Sequence, residues 1–293
     1  MNIAVAPRTH ALSVDVEDYF QVQVMADTIA RATWDDIPRR VEANTERLLA
    51  LFADAGSHGT FFTLGWVAER HPALIRRIVD AGHELASHGY FHQQVHTLGP
   101  EEFRTDLLRA RGLLEDAGGV AVIGYRAPTF SISARTPWAY EILAETGHRY
   151  SSSTYPVRHD LYGAPDAPRF AHRVADGALW EFPMTTVRRV GRNIPASGGG
   201  YFRLLPYAIF AANLRRFQKA EEAPGIFYIH PWEVDPGQPR VALPSRLSRF
   251  RHYLNLHRTA PRLAALLHDF AWDRMDHVFA AELARPRAHP TLH

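Results

Sequence analysis

An alternation of segment types constrains this chain more than any other feature. Short apolar runs at His10–Val16, Thr60–Leu64, Glu84–Ser87, Ala121–Tyr125, Tyr150–Ser152, Leu179–Phe182 and Ile226–His230 read as strands. Between them lie stretches with helical spacing: Arg39–Ala55, Pro72–Ala81, Pro100–Ala117, Pro137–Thr146 and Leu205–Ala220. From Val41 to Phe52 the apolar residues recur three and four apart, and Ala55-Gly56 supplies a stop. Pro72 and Pro100 stand where a first helical turn tolerates proline, and Thr136 precedes Pro137 as a cap. Strand followed by helix, repeated, requires crossover connections and therefore a parallel sheet, open or closed into a barrel. The expected fold is α/β, and seven strands fit an α/β barrel slightly short of the usual eight. The last residues, from Arg285 to His293, read as a frayed tail.

Composition excludes several chemistries. Among 293 residues there is no cysteine, so disulfides, thiolate zinc fingers, iron–sulfur clusters and a thiol nucleophile are out. Any transition metal must sit on imidazole and carboxylate, and 17 histidines are available. A formal charge of +2 gives no reason to expect nucleic acid; the basic set is almost entirely arginine, with Lys219 the single lysine. No window is apolar enough to span a membrane and Met1–Thr9 lacks the core of a signal peptide. The expected compartment is therefore the cytoplasm, with room for peripheral association at the inner membrane face.

In parallel α/β folds functional side chains collect at the carboxyl ends of strands. The first strand ends in Asp15-Val16-Glu17-Asp18, and strand alternation puts Asp15 and Glu17 on the face opposite Leu12, Val14 and Val16. Two carboxylates on one face resist ionising together unless a cation lies between them. A solvated acidic loop is the alternative. The third strand runs into Ser87-His88-Gly89-Tyr90-Phe91-His92, whose histidines are four apart. On one helical turn that spacing puts both imidazoles on one side, within reach of one metal. With the acidic strand end they make a two-histidine, one-carboxylate set. The fourth strand ends in Arg126-Ala127-Pro128, where a buried guanidinium would suit a carboxylate. The last ends in His230-Pro231-Trp232-Glu233, with His230 placed for general acid or base work. His58, His71, His83, His148, His159, His172 and the C-terminal histidines read as surface or packing residues.

These strand ends resemble the ordered motifs of the polysaccharide deacetylases of carbohydrate esterase family 4, the NodB-homology fold, over about Ala11 to Trp232. Further segments, Asp15–Phe20, Ser197–Arg203 and His230–Glu233, resemble the subgroup associated with exosortase-type exopolysaccharide loci. The resemblance implies a distorted (β/α)7-type barrel, with a catalytic domain over 8–240 and a helical extension over 241–293 packed on the barrel, with a disordered tail. It implies Asp15 as base, Glu17, His88 and His92 as ligands of a divalent metal with zinc favoured, Arg126 as the partner of Asp15, and His230 as acid. Asp18 is the alternative carboxylate ligand. Tyr19, Pro128, Gly199, Gly200, Tyr201 and Trp232 are the implied substrate contacts. The chain departs from the family in its fourth motif, where Ser151-Ser152-Ser153 stands in place of the aspartate that orients the catalytic histidine.

The implied reaction is hydrolysis of an N-acetyl group on an amino sugar, within a polysaccharide or a lipid-linked oligosaccharide of exopolysaccharide biosynthesis. Alternatives are a peptidoglycan or cyclic-amide amidohydrolase of the same fold, a non-haem iron oxygenase, and a non-catalytic glycan-binding module.

Overall fold

A computed structural model describes residues 8–159, 162–243 and 245–286. The expectations for Met1–Pro7 and for most of the C-terminal tail fall outside these residues. All seven expected strands are present: β1 (His10–Val16), β2 (Thr60–Thr63), β3 (Glu84–Ser87), β4 (Gly124–Tyr125), β5 (Tyr150–Ser151), β7 (Leu179–Glu181) and β10 (Ile226–Ile229). They lie side by side in the order β10-β1-β2-β3-β4-β5-β7, every neighbouring pair parallel. This is the α/β architecture the alternation predicts. β4 is shorter than its apolar run, because residues 121–123 approach the sheet without joining it.

Four described strands escape the sequence pattern. β6 (His172–Val174) adds an antiparallel edge to β7, a hairpin of β8 (Thr186–Arg189) and β9 (Arg192–Pro195) stands apart, and β11 (Trp272–Asp273) pairs with the start of β1. The sheet curls, and irregular backbone spans the gap between β7 and β10. Ala196 N donates to Thr185 O at 3.1 Å, and Tyr228 N to Ser197 O at 2.8 Å.

The helices α1 (Val41–Asp54), α3 (Pro72–Asp80), α4 (Pro100–Gly118), α5 (Trp138–Glu145) and α7 (Tyr207–Ala220) match the expected segments to within two residues at each end. α2 (Gly65–Arg70) and α6 (Gly199–Leu204) were not foreseen, whereas α8 (Arg246–Tyr253) and α9 (Leu256–Asp269) fall in the stretch expected as a helical extension. No described helix is long and apolar enough to cross a membrane.

β1 shows how sequence positions the site. Leu12, Val14 and Val16 pack outward with Leu48 and Phe52 of α1, while Ala11 joins Phe62, Tyr150, Phe182 and Tyr228 inside the curl. Ser13 and Asp15 share that inner face by alternation, so the apolar demand of the helix layer fixes where the carboxylate points. Burying each large outward side chain contributes about 1.5–3 kcal/mol, and a one-residue slip would forfeit several such terms while turning Asp15 out.

Candidate metal and acid–base site

Arg126 organises the floor. It is fully buried, and its Nη1 donates to Asp15 Oδ1 at 2.6 Å and to Ser13 Oγ at 2.9 Å. Its Nε donates to Ser152 O and its Nη2 to Ser152 Oγ, both at 3.1 Å, and the guanidinium lies 4.1 Å from the centre of the Phe62 ring. The cation is thus desolvated but satisfied, and Asp15 is held by a charge-assisted bond in one orientation.

Glu17, His88 and His92 come together beside it. One ligand atom from each lies within 4.8 Å of the others, and all three residues are buried. No helical turn does this, contrary to the expectation from the four-residue spacing. The chain leaves β3 in a loop where Gly89 (φ 74°) and His92 (φ 53°) adopt left-handed backbone, bringing the two rings to 5.3 Å between centres. Gly89 is required twice over, since a Cβ there would also sit 2.9 Å from Asp106 Oδ2. Asp106 pins the loop by accepting Tyr90 N at 3.0 Å.

The donor set fits a divalent cation. His88 Nδ1 lies 2.8 Å from Arg126 O, a carbonyl that can only accept, so Nδ1 carries the proton and Nε2 presents a lone pair. Burial, with His92 and Arg126 adding to it, lowers His88 to about 3, so the ring is neutral as a ligand must be. Glu17 Oε2 is buried without a hydrogen bond, although His92 Nε2 lies 2.8 Å away. Its other oxygen is satisfied by Trp232 Nε1 at 3.4 Å. Burial pushes the Glu17 carboxyl up, but His92, His230 and His88 outweigh it and hold it below the ordinary carboxylate range. A charged oxygen that faces imidazole nitrogen without a hydrogen bond is what a bound cation would complete. Asp18 is excluded from the cluster: its carboxylate accepts the backbone N–H groups of Tyr19, Arg40 and Val41 at the start of α1.

His230 faces the cluster from β10. Its Nε2 lies 3.4 Å from Glu17 Oε1 and 3.9 Å from Asp15 Oδ2. The serines of the fourth motif do not reach it. Ser152 serves Arg126 and Phe182 O, and Ser151 bonds Ser153. Glu233 orients the ring instead. The turn after the strand (Pro231–Val234) brings Glu233 Oε1 to 2.6 Å from His230 Nδ1, and the same oxygen accepts His230 N at 3.1 Å. Glu233 is fully buried, and its Oε2 accepts Arg203 Nε at 2.6 Å. Burial opposes the charge on His230, but the hydrogen bond and charge of Glu233, then Glu17 and Asp15, raise the imidazole to about 9. Arg203 and His230 in turn hold Glu233 below its ordinary value against the effect of burial. The residue stood in the quoted segment His230–Glu233. Its signal was the three-residue spacing, which acquires meaning only once that turn is known.

The site opens into a cleft of about 430 Å³. Gly200, Tyr201 and Trp232 line it, whereas Tyr19, Pro128 and Gly199 are buried outside its lining. Trp232 stacks between His230 (5.2 Å) and His252 (4.4 Å). Two histidines read from sequence as surface or packing residues, His159 and His252, belong to this lining, brought there by the chain that follows β5 and by α8. Gly198 (φ 131°) lets the backbone run against β10, where a Cβ would meet Tyr228 O at 2.0 Å.

Two family profiles divide the chain. Residues 25–151 match the polysaccharide deacetylase profile, and residues 152–280 match a domain of unknown function, DUF3473. Over that first interval, less than half of its length, the chain is similar to polysaccharide deacetylases. His88, His92 and Arg126 lie in the first interval, His230 and Glu233 in the second, and Asp15 and Glu17 precede both. The chain is 34% identical over 122 residues to a peptidoglycan deacetylase of Helicobacter pylori, a match that spans 41% of each protein. It is 34% identical over 116 residues to a chitooligosaccharide deacetylase of Sinorhizobium fredii, covering 40% of this chain and 51% of the relative. In both cases the chain spans about half or less of the relative's length. Its fold is shared with the crystal structure of a protein assigned as a polysaccharide deacetylase from Mycobacterium smegmatis. That match has a TM-score of 0.60 at 22% identity and covers 98% of this chain and 96% of the other.

Proposed function

We propose that this protein is a metal-dependent hydrolase that removes N-acetyl groups from amino sugars in a polysaccharide or lipid-linked oligosaccharide. The reading is supported by one observation: His230 Nε2 lies within 3.9 Å of both Asp15, which is paired with buried Arg126, and Glu17 of the Glu17–His88–His92 cluster. Glu17, His88 and His92 would hold a divalent cation, zinc in this reading, which would supply Lewis acidity and bring the pKa of a water toward about 7.

The remaining work falls to the chain. Asp15, fixed by Arg126, takes a proton from the water as its oxygen bonds the amide carbon. His230 gives the proton on its Nε2 to the amide nitrogen as the carbon–nitrogen bond breaks, because an unprotonated amide anion is a very poor leaving group. Glu233 keeps Nδ1 of His230 protonated and Nε2 aimed at the cluster, as the third member of a triad orients its imidazole. Acetate and a free amine leave. Tyr201 and Trp232 offer ring faces on which a sugar can stack. An iron oxygenase would need neither a separate base nor a separate acid, and a non-catalytic module would not need a buried Asp15–Arg126 pair.

The test is acetate release from chitooligosaccharides, peptidoglycan fragments and lipid-linked N-acetylated oligosaccharides, with zinc supplied or chelated. Release from one class that chelator abolishes supports the reading. No release from any class with zinc present sinks it.

A further inference from the structure

One wall of the cleft comes from α8, and its outer end is uncovered. Leu247, Phe250, Arg251 and Leu254 recur at helical spacing and all line the cleft. Leu247 is 53% exposed and Phe250 54%; across the mouth Leu204, at the end of α6, is 50% exposed. Seven large apolar residues are exposed among the described residues, and three of them gather at this opening. Single exposed leucines need no explanation, but a cluster at the mouth of the site does.

Charge marks the same region. Between Asp235 and Asp269 the sequence contains six arginines (240, 246, 249, 251, 258 and 262) and no carboxylate, although the whole chain is nearly neutral at +2. Arg246 and Arg249 are exposed on α8, and among the described residues neither side chain is ion-paired or hydrogen-bonded. Arg203 fixes this segment in place, its Nη1 donating to the carbonyls of Arg251, His252 and Leu254 at 2.8–3.0 Å. An anchored, acid-free helix with uncovered leucine and phenylalanine suits a surface that is apolar below and anionic above.

We propose that the cleft mouth formed by α8 and the end of α6 docks on an anionic lipid bilayer, so that the catalytic cleft opens toward a membrane-anchored N-acetylated glycan. The choice of glycan rests on the deacetylase reading; the docking does not.

Sedimentation with vesicles, in the absence of metal and glycan, tests the docking alone. Protein should pellet with vesicles of equal parts phosphatidylcholine and phosphatidylglycerol, be released by high salt, and stay in solution with phosphatidylcholine alone. Arg246→Ser with Arg249→Ser should weaken binding roughly 25-fold, about fivefold for each charge. That variant should leave acetate release from a soluble oligosaccharide unchanged. Leu247→Ser with Phe250→Ser should weaken binding about 30-fold, and its thermal midpoint should match wild type because both side chains are largely exposed. Equal pelleting on both vesicle types, no pelleting, or variants that bind like wild type would overturn the docking. So would a self-association that the Leu247/Phe250 variant abolishes without any vesicle binding, since the patch would then be a contact between copies. Vesicle binding as described, with no acetate released from any glycan, would leave the docking standing and remove the glycan.

Discussion

Replacing Glu233 by Gln isolates what the carboxylate does for His230. Gln preserves shape and one oxygen but removes the charge, and its amide can equally donate to Nδ1 and so favour the wrong tautomer. The imidazole stands at about 9 against an ordinary 6.5, with Glu233 the largest cause favouring the proton. That difference corresponds to about 3 kcal/mol at ~1.4 kcal/mol per unit, and Glu233 supplies most of it because Glu17 and Asp15 act only at 3.4 and 3.9 Å. Losing it should lower kcat about 10²-fold, with KM changed by less than about threefold, since Glu233 acts through another residue. The same change strands Arg203, whose side chain is 4% exposed, and breaking such a pair costs roughly 3–5 kcal/mol. The assay is therefore steady-state acetate release well below the thermal midpoint, alongside urea denaturation. Arg203→Gln added to Glu233→Gln removes the stranded charge and should recover part of the stability but none of the kcat. A double variant that regains both would show Glu233 to be structural, and a single variant within twofold of wild-type kcat would refute the orienting role outright.

Further outcomes follow from the same geometry. Asp15→Asn should lose 10²–10⁴ in kcat with zinc content unchanged by elemental analysis. Glu17→Gln should abolish the zinc-dependent rise in thermal stability, worth ~2.7 kcal/mol at a hundredfold excess over Kd in wild type. Gly198→Ala should destabilise by more than about 3 kcal/mol in urea, because φ is 131° and a Cβ would meet Tyr228 O at 2.0 Å. Gly200→Ala, where no atom lies within 4 Å, should change stability by less than about 0.5 kcal/mol. His148 is buried, and burial followed by Arg111 lowers it from 6.5 to about 4. The unfolded chain therefore binds the extra proton between those values, and stability present above pH 6.5 is lost as pH falls toward 4. Between pH 7 and pH 5 that one residue costs about 2 kcal/mol, so His148→Gln should flatten the acid limb of a urea-midpoint profile by that amount.

The sheet and the principal site were legible because each rests on a local rule. Parallel strands with crossover helices leave a periodicity that changes from two to about 3.6, and their carboxyl ends must converge. Asp15, His88, Arg126 and His230 were therefore readable as one neighbourhood although they span more than two hundred residues of sequence. The missed parts obey no such rule. α2 and α6 are six residues each and carry too little pattern to register. β11 is two residues long and exists only because β1 offers it an edge. The pairing of His88 with His92 had the right members for the wrong reason, since left-handed backbone at Gly89 and His92 replaces the helical turn. Gly199 lay in a plausible loop but turned inward, where Tyr228 crowds its Cβ position at 2.5 Å.

The serine-rich fourth motif posed the sharpest discrepancy, and its resolution moves a function along the chain. With no carboxylate at residues 151–153, the partner of His230 is supplied three residues after the histidine, from a turn rather than from a neighbouring strand. A carboxylate so placed is remote from the Arg126 floor and must find its own counter-charge, which Arg203 provides from α6. Arg203 has only one fork, and its Nη1 is already committed to the carbonyls of residues 251, 252 and 254. The partner of His230 and the wall of the cleft mouth therefore share one anchor. Displacing α8 would pull on the group that holds Glu233, whereas in a fold with the helper on the sheet the two would be independent. Substitutions at the α8 carbonyl contacts should thus reach His230 through Arg203 and Glu233, two buried bonds away.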